Sequence, residues 1–416
     1  SRLTFNNATK TLGSELTLLQ GLPASNDHNS GRFKIGPDLK LYYSIGDQGN
    51  NQFANACNPI LAQSLPTSPT NYTNYQGKIL RLNLDGTIPT DNPTLAGVQS
   101  HVYTYGHRNP QGLVFAQDGT LYSSEHGAKV DDELNIIVPA KNYGWPLIAG
   151  YFDNMSYAYC NWSTASPCNA GSFSDHNCAA GVTPIPEFTS FPSGAPSNFM
   201  PPIGTYNSTV SYDPSGGFLG WPTVAPASID IYEMNKIPNW GKSLLIPTLK
   251  KGTIYRAKLA PSGSSIIGDT YEIFHASNDR YRDVALDPDG VTIYAVTDNT
   301  GSTSGPSGTT SVTIVNPGVI MKIQYTGATV VSPPVANCQN ITTTLDTTGN
   351  VTILPSQINN NSTDDGTIVS YTLDRSTFNC SHIETPQQVY LTVVDNQGGE
   401  SCCVAIVTVN NNRAFA

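Results

Sequence analysis

Charged residues are scarce in this sequence: they make up 12% of the 416 residues, about half of the ~25% typical of soluble domains. The 21 Lys and Arg face 31 Asp and Glu, so the net charge is −10. A chain of this sign is repelled by a polyphosphate backbone, which argues against nucleic acid as a partner. The sequence also lacks an apolar run of about 18 residues and a basic-then-apolar leader, so we expect no membrane-spanning helix and no signal sequence.

Helical periodicity is missing as well, because no long stretch places apolar residues at a period of 3.6. What repeats instead is a phrase consisting of a β-turn and a strand with alternating apolar positions. Copies of this phrase occupy residues 35–47, 115–127 and 286–298. The repeats predict an all-β fold, in which four-stranded sheets arranged around an axis form a β-propeller over residues 1–327.

The composition changes near residue 328. Residues 328–336 contain Pro and Val and are predicted to be a linker. Beyond them the chain is rich in Thr and Asn, and short strand-like runs are separated by turn-forming residues. Residues 337–411 are therefore predicted to form a small β-sandwich.

The eight cysteines lie four before residue 200 and four after residue 337. None belongs to a Cys-x-x-Cys pair of the kind that binds zinc. We therefore expect disulfides and an oxidising compartment, and the sequence leaves the pairing open.

One histidine has neighbours suited to catalysis. Asp27 and His28 lie in a polar loop, and Asp47 and Gln52 follow in the phrase IGDQGNNQ. A carboxylate that fixes the tautomer of an imidazole gives a general base near neutral pH. The alternative is a surface histidine that serves only hydrogen bonding.

The few cations gather in particular turns. Arg108 and Asn109 lie in the Gly- and Pro-rich turn YGHRNPQGL, Lys250 ends the phrase LLIPTLK, and Arg280 and Arg282 belong to NDRYRDV. Cations at strand ends predict an anionic ligand, because fixed guanidinium groups suit carboxylates. Structural loops and surface salt bridges are the alternative.

An acidic stretch at residues 131–133, with Asp153 and Glu187 further on, offers oxygen ligands of the kind that calcium takes. It matches no EF-hand loop. Three consecutive acids more often form a solvated face.

In order along residues 15–327, the phrases LPASNDHNSGR, IGDQGNNQ, YGHRNPQGL, NYGWPLIAGY and NDRYRDV resemble those of one family. It is the family of soluble quinoprotein glucose dehydrogenases, also called glucose/sorbosone or aldose sugar dehydrogenases. The resemblance implies a six-bladed propeller that binds pyrroloquinoline quinone (PQQ) together with calcium. It also implies that the chain lacks an N-terminal part of the propeller, because the family has further residues ahead of the position of Glu15.

The resemblance also assigns roles. His28 would remove the proton of the anomeric hydroxyl while the C1 hydride passes to C5 of the quinone, Asp47 would support His28, and Arg108 would contact the quinone oxygens. Further cofactor contacts would be Asn109, His126, Thr223, Lys250, Arg280, Arg282 and Asp298. Sugar contacts would be Asp27, Gln52 and Trp221.

Two calcium sites are implied. The backbone oxygens of Gly127 and Ala128 would hold the ion beside the cofactor. A second, structural ion would take Glu133, Asp153 and Glu187 with the backbone oxygens of Tyr143 and Ala149. His126 and Ala128 stand where the family has glutamine and proline, and because backbone carbonyls bind the first ion, we expect that site to survive. Phe218 replaces a tyrosine, which leaves the sugar preference open.

The tail resembles the HYR-like, immunoglobulin-type domains of secreted Bacteroidota proteins, for which a spacer or display role is expected and carbohydrate binding is the alternative. Together these observations predict a secreted, periplasmic or cell-surface aldose dehydrogenase that forms a lactone and passes electrons to a small acceptor or a cytochrome, with a homodimer possible. The alternatives are a non-catalytic propeller that binds sugar or protein, and a calcium-dependent propeller lactonase.

Overall fold

The structure is a computed structural model, and it describes residues 1–155, 159–168, 174, 177–206, 221–250, 252–300, 314–327, 333–383 and 385–411. Phe218 and part of the predicted linker lie outside these residues. Almost all described regular elements are β-strands, which confirms the all-β prediction. No helix in the described ranges is long and apolar enough to cross a membrane.

Four antiparallel sheets follow one another along the chain after an N-terminal hairpin of β1 (Arg2–Asn6) and β2 (Thr11–Leu16). The first sheet contains, in spatial order, β3 (Phe33–Ile35), β4 (Lys40–Ile45), β5 (Lys78–Asn83) and β8 (Val102–Tyr105). A small hairpin of β6 (Thr94–Leu95) and β7 (Val98–Gln99) lies between β5 and β8. The second sheet contains β14 (Gly204–Thr205), β11 (Glu133–Ile136), β10 (Leu121–Glu125) and β9 (Pro110–Phe115).

The third and fourth sheets continue the pattern. The third contains β15 (Asp230–Tyr232), β16 (Ser243–Pro247), β17 (Thr253–Lys258) and β18 (Glu272–Ala276). The fourth contains β19 (Tyr281–Leu286), β20 (Thr292–Thr297) and β21 (Ile320–Gln324). A two-stranded sheet of β12 (Tyr159–Asn161) and β13 (Thr183–Ile185) precedes the short helix α1 (Glu187–Ser190).

The repeated phrase of the sequence forms the turn that joins the first and second strands of a sheet. In three sheets an aspartate begins this turn, and its carboxylate accepts the backbone N–H two residues on: Asp38 from Lys40 at 3.1 Å and Asp118 from Thr120 at 2.9 Å. Asp289 accepts from Val291 at 2.8 Å in the same way. Such aspartate turns close a hairpin locally, which is why the phrase marks the first, second and fourth sheets.

The four sheets pack face to face through apolar layers, and their first strands are neighbours. Strand β9 contacts both β3 and β15, and β15 contacts β19. Between the second and third sheets, Val114 and Leu134 pack with Ile231 and Leu244. This succession agrees with sheets repeated around an axis, and the number of blades stays a prediction.

The C-terminal region has a core of its own. One sheet contains β22 (Ile341–Thr344), β27 (Glu400–Asn410), β26 (Gln387–Asp395) and β24 (Ile368–Leu373), with β22 parallel to β27. The strands β23 (Asn350–Thr352) and β25 (Thr377–Asn379) pair separately, and the helix α2 (Pro355–Ile358) is one turn long. Phe378 of β25 packs with Val389 and Val407 in one buried cluster.

Disulfides are formed as the cysteine pattern predicts. The bonds are Cys57–Cys168, Cys160–Cys178 and Cys338–Cys403. Cys380 and Cys402 are free and exposed.

Candidate active site

The predicted site residues lie at one edge of the four sheets. In each sheet the first two strands are antiparallel, so the start of the first strand and the end of the second share an edge. The residues before β3, β9, β15 and β19 include His28, Arg108, Thr223 and Arg280. The residues after β4, β10, β16 and β20 include Asp47, His126, Lys250 and Asp298.

His28 is held by a buried carboxylate. Its Nδ1 lies 2.7 Å from Oδ1 of Asp47, whose side chain is 1% exposed. Oδ2 of Asp47 accepts the indole N–H of Trp145 at 2.8 Å, and Oδ1 also accepts the backbone N–H of Gly49 at 2.9 Å. The carboxylate is therefore fixed from three directions.

This arrangement sets the tautomer of His28. An ionised carboxylate only accepts hydrogen bonds, so Nδ1 of His28 carries the proton and Nε2 keeps its lone pair. The amide nitrogen of Gln52 lies 3.1 Å from Nε2 and also donates to Asp27 at 3.0 Å. The backbone of His28 is left-handed (φ 44°), and its N–H donates to Asp27 at 2.9 Å. The ring thus presents a basic nitrogen.

Arg108 faces this histidine with a buried, poorly paired guanidinium. It is 8% exposed, and within the described part of the chain its terminal nitrogens reach only the oxygens of His126 at 3.4 Å and Gln52 at 3.5 Å. Its Nε has no hydrogen-bond partner among the described residues. The guanidinium carbon lies 5.4 Å from the ring centroid of Trp145. A buried cation in this state suits an anionic oxygen.

Beneath Arg108 lies a buried acid and imidazole pair. The carboxylate of Glu125 accepts the backbone N–H of Arg108 and lies 2.8 Å from Nδ1 of His107. Burial lowers the pKa of His107 to about 3 and raises that of Glu125 to about 8. The N–H groups of Arg108 and Asn109 oppose the shift of Glu125 because they stabilise its anion.

His126 is neutral at this edge. Burial, and then the charge of Arg108, lower its pKa to about 3. Its Nε2 lies 2.9 Å from the carbonyl oxygen of Pro226, which only accepts, so Nδ1 keeps the lone pair. The amide oxygen of Asn109 accepts from Ser30 at 3.0 Å.

Lys250 adds a second buried cation, 3% exposed, on the third sheet. Its ammonium group donates to Thr223 Oγ1 at 2.8 Å and to the backbone oxygen of Trp221 at 2.9 Å. Lys129 lies over the Trp221 ring, 3.4 Å from its centroid. Lys250 Nζ also lies over this ring, 5.8 Å from the centroid, so two cations adjoin the indole.

Arg280 and Arg282 share one carboxylate. Their Nε atoms donate to the two oxygens of Asp298 at 2.9 Å and 2.5 Å. These hydrogen bonds lower the pKa of Asp298 although burial opposes them. The charge of Arg282 also acts on His126, so the fourth sheet contributes to the same site.

The loop after β10 is shaped by Asp132. Its carboxylate accepts the backbone N–H of Gly127 at 2.8 Å, of Val224 at 2.6 Å and of Ala225 at 2.7 Å. It thereby ties the loop of Gly127 and Ala128 to the segment that carries Thr223.

The acids proposed for a second calcium ion lie near one another. Burial raises the pKa of Asp131, and the charges of Glu133, Asp153 and Glu187 raise it further. Yet Glu133 accepts from the backbone N–H of Gly150 at 2.9 Å, and Glu187 accepts from two other backbone N–H groups. In the described part of the chain, no three His, Cys, Asp or Glu side chains converge closely enough to hold a metal. The second calcium site stays a prediction.

Comparison with known proteins supplies the family. The family model described as "Glucose / Sorbosone dehydrogenase" matches residues 1–165 and 204–304. The chain belongs to this family. It is an oxidoreductase family, as the names of the relatives also indicate.

A curated relative is "Quinoprotein glucose dehydrogenase B" of Acinetobacter calcoaceticus, 46% identical over 78% of this chain and 70% of its own length. "Aldose sugar dehydrogenase YliI" of Escherichia coli is 26% identical over 68% of this chain and 61% of its length. The solved PQQ-bound aldose sugar dehydrogenase of Streptomyces coelicolor is 24% identical, with a TM-score of 0.49, over 77% of this chain and 70% of that one.

Four residues of this glucose/sorbosone dehydrogenase site did not emerge as candidates from the sequence. Trp145 lies within a quoted phrase but 98 residues from its partner Asp47. Lys129, His107 and Glu125 adjoin candidate residues in the chain. Proximity in sequence was their only signal, because their contacts depend on the packing of different strands.

Proposed function

We propose that this glucose/sorbosone dehydrogenase oxidises the anomeric carbon of an aldose to a lactone, with PQQ as its redox cofactor and His28 as general base. The observation that carries the proposal is the buried set of His28, Asp47 and Trp145 beside the guanidinium of Arg108. A protein that only binds sugar has no need of such a set.

His28 removes the hydroxyl proton of the anomeric carbon at Nε2. Asp47 holds the ring in the tautomer that leaves Nε2 basic, and it stabilises the imidazolium that forms. Trp145 and Gly49 fix the carboxylate, so the base is oriented before the sugar binds.

PQQ, when bound, accepts the two electrons and the hydrogen that leave the sugar carbon. The residues at the site fit a group with three carboxylates and quinone oxygens. Arg108 has a buried Nε with no partner among the described residues, which is the donor that an anionic oxygen needs. Lys250, Arg280 and Arg282 supply positive charge on the third and fourth sheets.

Calcium belongs to the proposal at two places. The carbonyl oxygens of Gly127 and Ala128 would hold one ion, in a loop that Asp132 fastens. A second ion among Glu133, Asp153 and Glu187 would offset the like charges that raise the pKa of Asp131. That site requires the carboxylates to exchange backbone N–H groups for the metal.

The sugar would lie between His28 and Trp221. Asp27 and Gln52 are bonded to each other beside His28 and offer polar contacts to hydroxyl groups. A small acceptor or a cytochrome would then take the electrons.

The proposal also covers the location of the protein and its domains. Three disulfides support an oxidising compartment, such as the periplasm or the outside of the cell. We assign residues 1–327 to a six-bladed propeller and 337–411 to a sandwich that serves as a spacer.

The proposal is tested by titrating the purified chain with PQQ in calcium buffer and adding a panel of aldoses. We expect tight binding and reduction of the cofactor, seen in its absorbance. The variant His28→Ala should bind PQQ normally and turn over at least ~10²-fold more slowly. If PQQ binds but no aldose reduces it, the proposed substrate class is wrong. If PQQ does not bind, the alternative of a non-catalytic propeller that binds sugar or protein is favoured.

A further inference from the structure

Glu125, the last residue of β10, makes an unusual set of contacts beneath the active-site edge. It is 3% exposed. One oxygen of its carboxylate accepts the backbone N–H of Arg108, and the backbone N–H of Asn109 lies close enough to stabilise the charge of the group. The other oxygen lies 2.8 Å from Nδ1 of His107. A single carboxylate thus holds three consecutive residues.

The third of these contacts is itself braced. His107 is fully buried, and its Nε2 lies 2.8 Å from Oγ1 of Thr104. Its ring stacks on Tyr143 at 4.4 Å between centroids. The imidazole cannot move aside, so it fixes the carboxylate of Glu125 in turn.

The backbone of Arg108 connects this carboxylate to the base. Its N–H donates to Glu125, and its carbonyl oxygen accepts the backbone N–H of Asp47 at 2.7 Å. Asp47 in turn holds His28. Displacing the peptide of Arg108 therefore moves both the guanidinium and the residue that supports the base.

We propose that Glu125 is a positioning residue for Arg108 and, through the backbone of Arg108, for Asp47. It touches neither sugar nor cofactor. Its contribution is to hold the turn of residues 107–109 in the one conformation that aims the guanidinium at the site. This inference rests on the proposed function only in the second test below, which measures PQQ binding.

The first test needs no cofactor. Hydrogen exchange of the Arg108 and Asn109 amides is measured in the full chain for wild type, Glu125→Gln and Glu125→Ala. The glutamine keeps one accepting oxygen, and His107 can move its proton to Nε2 to accept from the new amide. We expect these amides to exchange at the wild-type rate in Glu125→Gln and at least tenfold faster in Glu125→Ala. Unchanged exchange in Glu125→Ala would overturn the proposal.

A substitution at an equally buried core residue distinguishes a positioning role of Glu125 from a merely structural one. Leu245 in β16 is fully buried and packs with Ile254 and Val284 in the core between the third and fourth sheets. Leu245→Ala should lower the melting temperature while the Arg108 and Asn109 amides stay protected. If it exposes these two amides as much as Glu125→Ala does, the effect is general loosening and the proposal fails.

The second test is a double-mutant cycle on PQQ affinity. Glu125→Ala alone should weaken PQQ binding about tenfold. In the Arg108→Ala background it should weaken binding little further, which corresponds to a coupling of about fivefold or more. The same cycle with Lys250→Ala should be additive, because Lys250 is held by Thr223 and Trp221. If the effect of Glu125→Ala on PQQ affinity is additive with that of Arg108→Ala as well as with that of Lys250→Ala, the proposal is contradicted. A wild type that does not bind PQQ would sink the proposed function, and the exchange experiment would still decide the role of Glu125.

Discussion

Replacing Asp47 by asparagine changes the charge and donor pattern of one carboxylate at nearly constant shape. The oxygens of Asp47 receive three donors: the imidazole N–H of His28, the backbone N–H of Gly49 and the indole N–H of Trp145. An asparagine has one accepting oxygen and one donating NH₂ group. It therefore cannot satisfy all three.

Either orientation of the new amide harms the base. If its oxygen faces His28, its NH₂ group meets the indole N–H of Trp145, a donor against a donor in a buried place. If its NH₂ group faces His28, the imidazole must carry its proton on Nε2, and the basic lone pair is lost. Since a general base contributes typically 10²–10⁴-fold, we expect turnover to fall by ~10²-fold or more.

The assay is single-turnover reduction of bound PQQ by glucose, with PQQ affinity measured separately. Affinity should stay within about threefold, because Asp47 does not face the cofactor in the proposal. Trp145→Phe is the matched control: it keeps an aromatic ring beside Arg108 and removes one hydrogen bond, typically about 1 kcal/mol, so a loss of roughly fivefold is expected. Wild-type turnover in Asp47→Asn would refute the assignment of His28 as a base oriented by Asp47.

Three further predictions concern other parts of the chain. Lys250→Ala should weaken PQQ binding about 10- to 100-fold, because a hydrogen bond to a charged group contributes about 1.5–3 kcal/mol. An unchanged PQQ affinity in a titration would mean that the cofactor binds elsewhere. Replacing Cys57 and Cys168 by serine opens a loop with a sequence separation of 111, which should cost about 4–5 kcal/mol in urea unfolding; an unaltered midpoint would argue against this pairing. Burial lowers the pKa of His101, so below about pH 6.5 the unfolded chain binds a proton at this histidine that the folded chain does not bind. Stability should therefore decrease as the pH decreases, and His101 should contribute at most about 1.4 kcal/mol per pH unit beside the contributions of His107 and His126. His101→Gln should flatten that slope, and an identical slope would exclude His101 as the cause.

The sequence predicted the elements whose signals are local. Turns begun by Asp38, Asp118 and Asp289 close within two residues, so each could be recognised from its own phrase. His28 and Asp47 were candidates from their residue types, and the family resemblance assigned their roles; the structure places their side chains 2.7 Å apart.

What the sequence did not supply depends on contacts between distant strands. Trp145 reaches Asp47 across 98 positions, and Lys129 covers Trp221 only because two loops of different sheets meet. For the acids proposed to bind calcium, the local sequence pattern does not determine which partners the side chains bind. Glu133 and Glu187 bond backbone amides, so their residue types alone cannot decide whether they bind metal.

We propose that this chain removes hydrogen from the anomeric carbon of an aldose. The most direct measurement is rapid mixing of the PQQ-loaded, calcium-containing protein with glucose and with glucose deuterated at C1, followed through the absorbance of the cofactor. We expect reduction of the cofactor in a single turnover, slower reduction with the deuterated sugar, and almost none in His28→Ala. Bound cofactor that stays oxidised with every aldose would contradict it.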